Sequence, residues 1–226
     1  MKRKPFYFEV KDVITQFIAA FNDIVIGRYS SSRGLTDQIQ VRYVYSPKQR
    51  ALHNLLNKSQ HISLPAVVVN IASIERDASR VFNKIRGTHE VHLNADIPKT
   101  AGSDKIPSPV PVNITVNMSV LAKYQSDIDQ IISNFIPYSN PYIVISWKLP
   151  TELATLVQEV RSEVIWSGNL SLEYPTDVQP DQPARISADT TFTIKAWLWP
   201  AGGTKEAPNI FYANTSLQPM SAIEYL

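Results

Sequence analysis

The segment 112–142 constrains the fold more than any other part of the sequence, because a strand pattern runs directly into a helix pattern there. Residues 112–120 alternate strictly between apolar residues and Asn, Thr or Ser, which is typical of a half-buried strand. The apolar residues that follow have the spacing of one helix face: Ile128, Ile131, Ile132 and Phe135. Ser126 is the predicted N-cap of this helix, and Pro137 its predicted end.

Similar patterns predict the other elements. In chain order they are a helix within 8–26 that ends near Asn22, a turn or exposed loop containing Gly27 and Gly34, a strand at 37–45, a short helix at 48–57, a buried strand at 64–74, a strand at 141–149, two strands around a Gly-Asn turn within 152–173, and a strand at 188–200 that Pro200 ends. Strands dominate this order, so we expect an α+β fold with a mixed or antiparallel β-sheet and a few packed α-helices.

The loops are expected to be long and stiff, because the chain has 16 prolines and only 7 glycines. We expect a single α+β domain over 1–200. Long proline-rich loops at 75–111 and 174–187 would protrude from it, the first as an arm or hairpin. The tail 201–226 is expected to lie along the surface.

Composition narrows the functional classes. A net charge of +2 is too weak to indicate nucleic-acid binding by itself. The absence of cysteine excludes disulfides, zinc–thiolate sites and cysteine nucleophiles, and it fits a reducing compartment such as a bacterial cytoplasm. Charged residues from Glu9 to Asp12 interrupt any signal peptide, and no apolar run approaches the roughly 20 residues that cross a bilayer. We therefore expect a soluble protein without a membrane partner.

No catalytic, cofactor or metal site is expected. His89 and His92 have ligand-like spacing but lack a third ligand, so ordinary exposed histidines are favoured. Ser167-Gly168 indicates a turn rather than a nucleophile, since no G-x-S-x-G motif surrounds it. Asp127 and Asp129 could serve as acid and base, but solvated carboxylates at a helix start are favoured.

Two groups of residues are candidates for an interface. Five basic residues are close together in the sequence and favour a solvated rim or protein contact over a nucleic-acid surface: Arg28, Arg33, Arg42, Lys48 and Arg50. Trp197 and Trp199 share the strand face opposite Leu198, so their rings would face a partner or be covered by the chain's own helices.

Several segments, in order, resemble a known family. They are the exit DIVIGR of the first helix, IQVRYVYSPKQRALHNLLNK, LPAVVVNIASIERDASRVFN, MSVLAKYQSDIDQIISNFIPYSNPY and FTIKAWLWP. Together they resemble the tail sheath stabiliser and completion protein, or tail terminator, of T4-like contractile-tailed bacteriophages. The sequence departs from that pattern at 96–111, at 150–185 and after Pro200.

This resemblance implies a non-enzymatic virion protein without cofactors, assembled in the host bacterial cytoplasm. Such a protein would form a six-membered ring at the head-proximal end of the tail, where it ends and stabilises tube and sheath and docks the neck. Its partners would be further copies of itself, the tail sheath protein, the tail tube or tube-terminator protein and neck or head-completion proteins, with DNA passing through the lumen. The alternatives are another ring component, such as a neck connector or tube protein, and a small hydrolase that uses Asp127 or a histidine.

Overall fold

The fold was analysed in a computed structural model of the chain, which describes residues 8–57, 64–81, 87–91, 102–149, 159–174, 185–200 and 205–208. The elements are α1 (Glu9–Ala19), β1 (Val25–Tyr29), β2 (Leu35–Gln40), β3 (Arg42–Tyr45), α2 (Lys48–Asn57), β4 (Ala66–Arg76), a 3-10 helix (Ala78–Arg80), β5 (Gly87–Val91), β6 (Gly102–Pro107), β7 (Val110–Ala122), α3 (Gln125–Tyr138), β8 (Ile143–Lys148), β9 (Glu159–Glu173), β10 (Ile186–Leu198) and β11 (Lys205–Pro208).

A six-stranded main sheet organises the fold, with the strand order β3-β4-β7-β10-β9-β8. β3 runs parallel to β4, with α2 as the crossover, and every other neighbouring pair is antiparallel. A two-stranded hairpin, β1-β2, and a three-stranded sheet, β11-β6-β5, accompany it. The predicted α+β fold with a mixed sheet is confirmed.

The alternation in β7 and β10 creates the core. Their apolar rows are buried beneath α1 and α3, and the ring of Phe192 lies 5.3 Å from that of Phe17, 5.5 Å from Phe21 and 6.4 Å from Phe135, between centroids. α2 covers part of the opposite face, where its Ala51 packs with Val68 and Leu121. The rest of that face carries the Asn, Thr and Ser residues of the alternating pattern.

The beginning of the chain differs from the prediction. Helix α1 ends at Ala19, and the residues read as a loop after it pair as the β1-β2 hairpin, with a turn at 30–34. The predicted strand at 37–45 is two strands in different sheets. Val41 lies between them, 1% exposed; its N–H bonds to Ile24 while the next N–H, from Arg42, bonds to Pro65. Because helix and strand patterns both place apolar residues at 21–26, periodicity alone misassigned this boundary.

Both predicted ends of α3 are shifted. The N-cap is Tyr124 rather than Ser126, because the helix already begins at Gln125 and places Ser126 inside its first turn. Pro137 does not end the helix, which includes that proline and continues to Tyr138. Ser139 then closes the end, with its N–H donating to the carbonyl of Phe135 at 2.9 Å.

The predicted strand pair around Gly168 is wrong. Residues 150–158 lie outside the described part, but from Glu159 to Glu173 the chain is one continuous strand. Between the pairs Thr190↔Leu170 and Phe192↔Trp166, β9 has three intervening residues and β10 has one. Gly168, at φ 76°, therefore accommodates a β-bulge rather than a hairpin turn.

The three-stranded sheet combines two regions expected to be loop or tail. β5 and β6 pair antiparallel within the segment 75–111, and β11 from the tail pairs with β6. In the described part of the chain, no helix combines the length and hydropathy that a membrane crossing requires.

Candidate interaction surfaces

The five basic residues are spread over the hairpin, β3 and α2, and the chain's own carboxylates bind Arg28 and Lys48. Arg28 belongs to the hairpin, Arg33 to its turn, Arg42 to β3, and Lys48 and Arg50 to α2. Arg33, Arg42 and Arg50 are exposed at the surface. Arg28 and Lys48 have structural partners that sequence proximity could not indicate.

Arg28 attaches the hairpin to α3. Its guanidinium donates to both carboxylate oxygens of Asp127, at 2.5 and 2.9 Å, and lies 4.9 Å from the centroid of the Tyr124 ring. Asp127 is 1% exposed, so the expectation that its carboxylate is solvated is wrong. A carboxylate held in this bidentate way is committed to structure rather than to acid–base chemistry.

Gln130 makes a second contact between α3 and the hairpin. Its side-chain oxygen accepts the N–H of Gly27 at 2.8 Å, and its amide nitrogen donates to the carbonyl of Gly27 at 3.1 Å. Gln130 thus occupies the outer edge of β1 much as a neighbouring strand would, and an occupied edge is protected from unwanted strand pairing.

Lys48 lies on the opposite face of the main sheet, in a polar cluster. Its ammonium donates to Asp189 at 2.6 Å, to Glu173 at 3.0 Å and to Ser187 at 3.2 Å. The hydroxyl of Ser119 also donates to Asp189. Burial alone would lower the pKa of Lys48, but the hydrogen bonds and charges of Asp189 and Glu173 outweigh it and raise the pKa.

This cluster is the nearest approach to a catalytic arrangement among the described residues, because it places a serine beside a lysine. A Ser–Lys mechanism requires a neutral lysine that can accept the serine proton. The two carboxylates hold Lys48 in its charged form, which cannot accept a proton from serine. The hydrogen bonds of the cluster instead join α2 to β9 and β10.

The structure does not test whether His89 and His92 bind a metal ion. His92 and the side chain of His89 lie outside the described part of the chain. Within the described part, no three His, Asp or Glu side chains gather as possible metal ligands.

Trp197 and Trp199 do not form one surface. The guanidinium of Arg80 lies 5.0 Å from the ring centroid of Trp197, and that arginine also bonds to the carbonyl of Val112 at 2.7 Å. Trp199 instead packs edge-on against Trp147, with 5.7 Å between centroids. The expectation of a shared face is wrong because β10 ends at Leu198, and Trp199 no longer follows its alternation.

A groove that the sequence did not indicate lies between the hairpin and α3. We call it the hairpin groove, and define it by Phe21, Asp23, Val25, Tyr29, Leu35, Asp129, Asn134 and Tyr138. It joins a cavity of about 450 Å³ next to Phe21 to one of about 420 Å³ next to Leu35, and Val25 and Asn134 line both. The apolar residues of the groove are visible in the sequence, but they lie close together in space only because β1 and β2 form a hairpin, which the sequence did not predict.

The main sheet also has two edge strands, β3 and β8. The outer face of β8 carries Val144, which is 52% exposed. Sheet edges and apolar grooves are surfaces on which other polypeptides can bind, so the described features fit a protein that takes part in an assembly.

Comparison with known proteins identifies the assembly. The family model of the T4-like virus Myoviridae tail sheath stabiliser matches residues 6–218, and the chain belongs to this family. A search of curated proteins finds no match. The resemblance drawn from the sequence is confirmed. The chain is a structural protein of the virion tail of contractile-tailed phages, and it associates with the tail sheath and other tail components.

Proposed function

We propose that this chain forms a six-membered ring at the head-proximal end of the contractile tail. The ring ends and stabilises the tube and the sheath and provides the docking surface for the neck and head, without catalysis. The observation that carries the proposal is the family match over 6–218, nearly the whole chain. The binding of Lys48 and Asp127 by structural partners supports a role without catalysis.

A ring requires two different surfaces on each copy, one for each neighbour. The main sheet supplies different structures at its two edges: β3, with the crossover α2 beside it, and β8, whose one neighbour among the described strands is β9. A ring ends a helical polymer when one face matches the last layer and the other face lacks the surface on which growth would continue.

The sheath, the tube or tube-terminator protein and the neck proteins would bind the two faces of this ring. An extended sheath segment can pair with a sheet edge that the ring leaves exposed, where backbone groups give affinity. The proline-rich segments 75–111 and 174–187 and the tail 201–226 would reach the neighbours, since stiff segments lose less entropy on ordering. DNA would pass through the lumen without specific binding, as the weak net charge of +2 favours.

The mass of the purified chain, measured alone and after incubation with purified tails, tests this proposal. We expect a closed oligomer of six copies that binds tails and does not elongate. Purified chain that grows into long tubes would indicate a tube protein instead. A chain that stays monomeric and never binds tails would refute the ring.

A further inference from the structure

The hairpin groove is an exposed apolar surface on a rigid support. Four of its apolar side chains are between 44% and 60% exposed: Val25, Tyr29, Leu35 and Tyr138. A contiguous apolar surface of this kind usually marks a site where another polypeptide binds. The contacts of Arg28 and Gln130 with α3 hold both walls in place, so an incoming segment meets a formed groove.

Gly27 contributes to the shape of the groove. A Cβ atom at this position would lie 2.8–2.9 Å from the ring of Tyr29, so only glycine allows that ring to lie across the strand. The Tyr29 ring therefore forms part of the groove wall rather than pointing into solvent alone.

The charge of the groove indicates what binds there. Asp23 and Asp129 are its charged lining residues, and both are exposed. An occupant that combines large apolar side chains with Lys or Arg would complement this lining. Residues 1–7, which lie outside the described residues, have this composition: MKRKPFY contains three cations next to two aromatic residues.

The segment precedes the start of α1, at the other end of that helix from Phe21. Phe8 is at the start of α1, whereas Phe21 of the groove follows the end of that helix. The helical rise separates Phe8 from Ala20, the residue before Phe21, by about 18 Å. Phe6 is two residues from Phe8, and its backbone reaches at most about 7 Å from it. This separation favours the groove of the neighbouring copy in the proposed ring.

We infer that the segment Met1–Tyr7 of one copy binds in the hairpin groove of the next copy. The aromatic side chains of Phe6 and Tyr7 occupy the apolar cavities, and Lys2, Arg3 and Lys4 lie near Asp23 and Asp129. Such an arm-to-groove contact is heterologous, as a closed ring requires. The inference rests on the proposed ring and assigns one of its subunit contacts.

Photo-cross-linking in the full-length chain tests the contact directly. Phe6 is replaced by benzoylphenylalanine, and equal amounts of ¹⁴N- and ¹⁵N-labelled protein are mixed before irradiation. We expect cross-linked peptides from 20–29 or 129–138, with mixed isotopes showing that two copies are joined. Cross-links within one copy, to other regions, to a sheath or tube protein, or no cross-link would overturn the inference.

A matched pair of variants measures what the groove contributes to assembly. Val25→Lys adds a repelling charge inside the groove, whereas Ile74→Lys adds the same charge on β4, an inner strand of the main sheet, at similar exposure, 44% against 45%. We expect at least about tenfold weaker self-association for Val25→Lys, and little change for Ile74→Lys. Equal assembly of both variants with the unaltered chain would overturn the arm contact and leave the ring standing. Absence of any oligomer in the unaltered chain would refute the ring as well.

Discussion

At the residue scale, Glu9 joins the beginning of α1 to the end of β10. Its carboxylate accepts the backbone N–H of Trp199 at 3.0 Å, and the residue is 9% exposed. Burial raises the pKa of Glu9, an effect that the hydrogen bond from Trp199 only partly offsets. The folded chain therefore holds a carboxyl group whose charged form is disfavoured.

Replacing Glu9 by Gln should increase stability at neutral pH. Glutamine can still accept the N–H of Trp199, but it cannot ionise. Below about pH 4 both folded and unfolded wild-type chains are protonated here, so the two proteins should differ little. As the pH rises through the raised pKa, deprotonation penalises the folded wild type, and the advantage of Glu9→Gln should grow and then level off. Thermal unfolding between pH 4 and pH 8 measures it.

Glu163→Gln is the control for this pH series. Glu163 is an exposed carboxylate that accepts a hydrogen bond from Lys195 at 3.1 Å. Its substitution should give no stability gain that increases with pH. A gain of equal size in both variants would show that overall charge, rather than burial of Glu9, is responsible.

At the element scale, the hairpin depends on α3 for its position. Arg28→Met would leave the buried carboxylate of Asp127 without its cation, and we expect the free energy of unfolding to fall by about 3 kcal/mol. Lys195→Met, which breaks an exposed pair, should cost less than about 1 kcal/mol. Denaturant titration measures both values, and equal losses would contradict the structural role given to Arg28.

The elements differ in how far the sequence could predict them. β7 and β10 follow strict alternation because one face is buried and the other is polar, and both were predicted. The sequence does not predict the hairpin, because Gly27, Gly34 and the three serines between them indicate a turn or exposed loop. The Gly-Asn pair at 168–169 predicts a turn, but a glycine at positive φ serves a turn and a bulge equally.

The candidate surfaces were harder to predict than the strands. Arg28 and Asp127 are 99 positions apart in the sequence, so their pairing depends on how α3 lies on the sheet. Lys48 likewise meets Asp189 across 141 positions. A single sequence shows that these residues are charged, but it does not show which of them form ion pairs within the chain.

At the scale of the whole molecule, Phe192 connects α1 and α3 to the main sheet. Phe192→Ala should lower the free energy of unfolding by about 3–5 kcal/mol, because the residue is fully buried among three other phenylalanine rings. Tyr45→Ala, at a side chain that is 58% exposed, should change it by about 0.5 kcal/mol or less. Chemical unfolding followed by circular dichroism compares the two, and similar values would contradict a shared core.

The long pairing of β7 with β10 has a mechanical consequence. The two strands are in register over thirteen residue pairs, from Ile186↔Ala122 to Leu198↔Val110. A force along the strand axis would load the ladder hydrogen bonds together in shear, whereas a force across it would break them one pair at a time. A subunit of a contractile tail therefore resists pulling best when its central strands lie along the direction of the load.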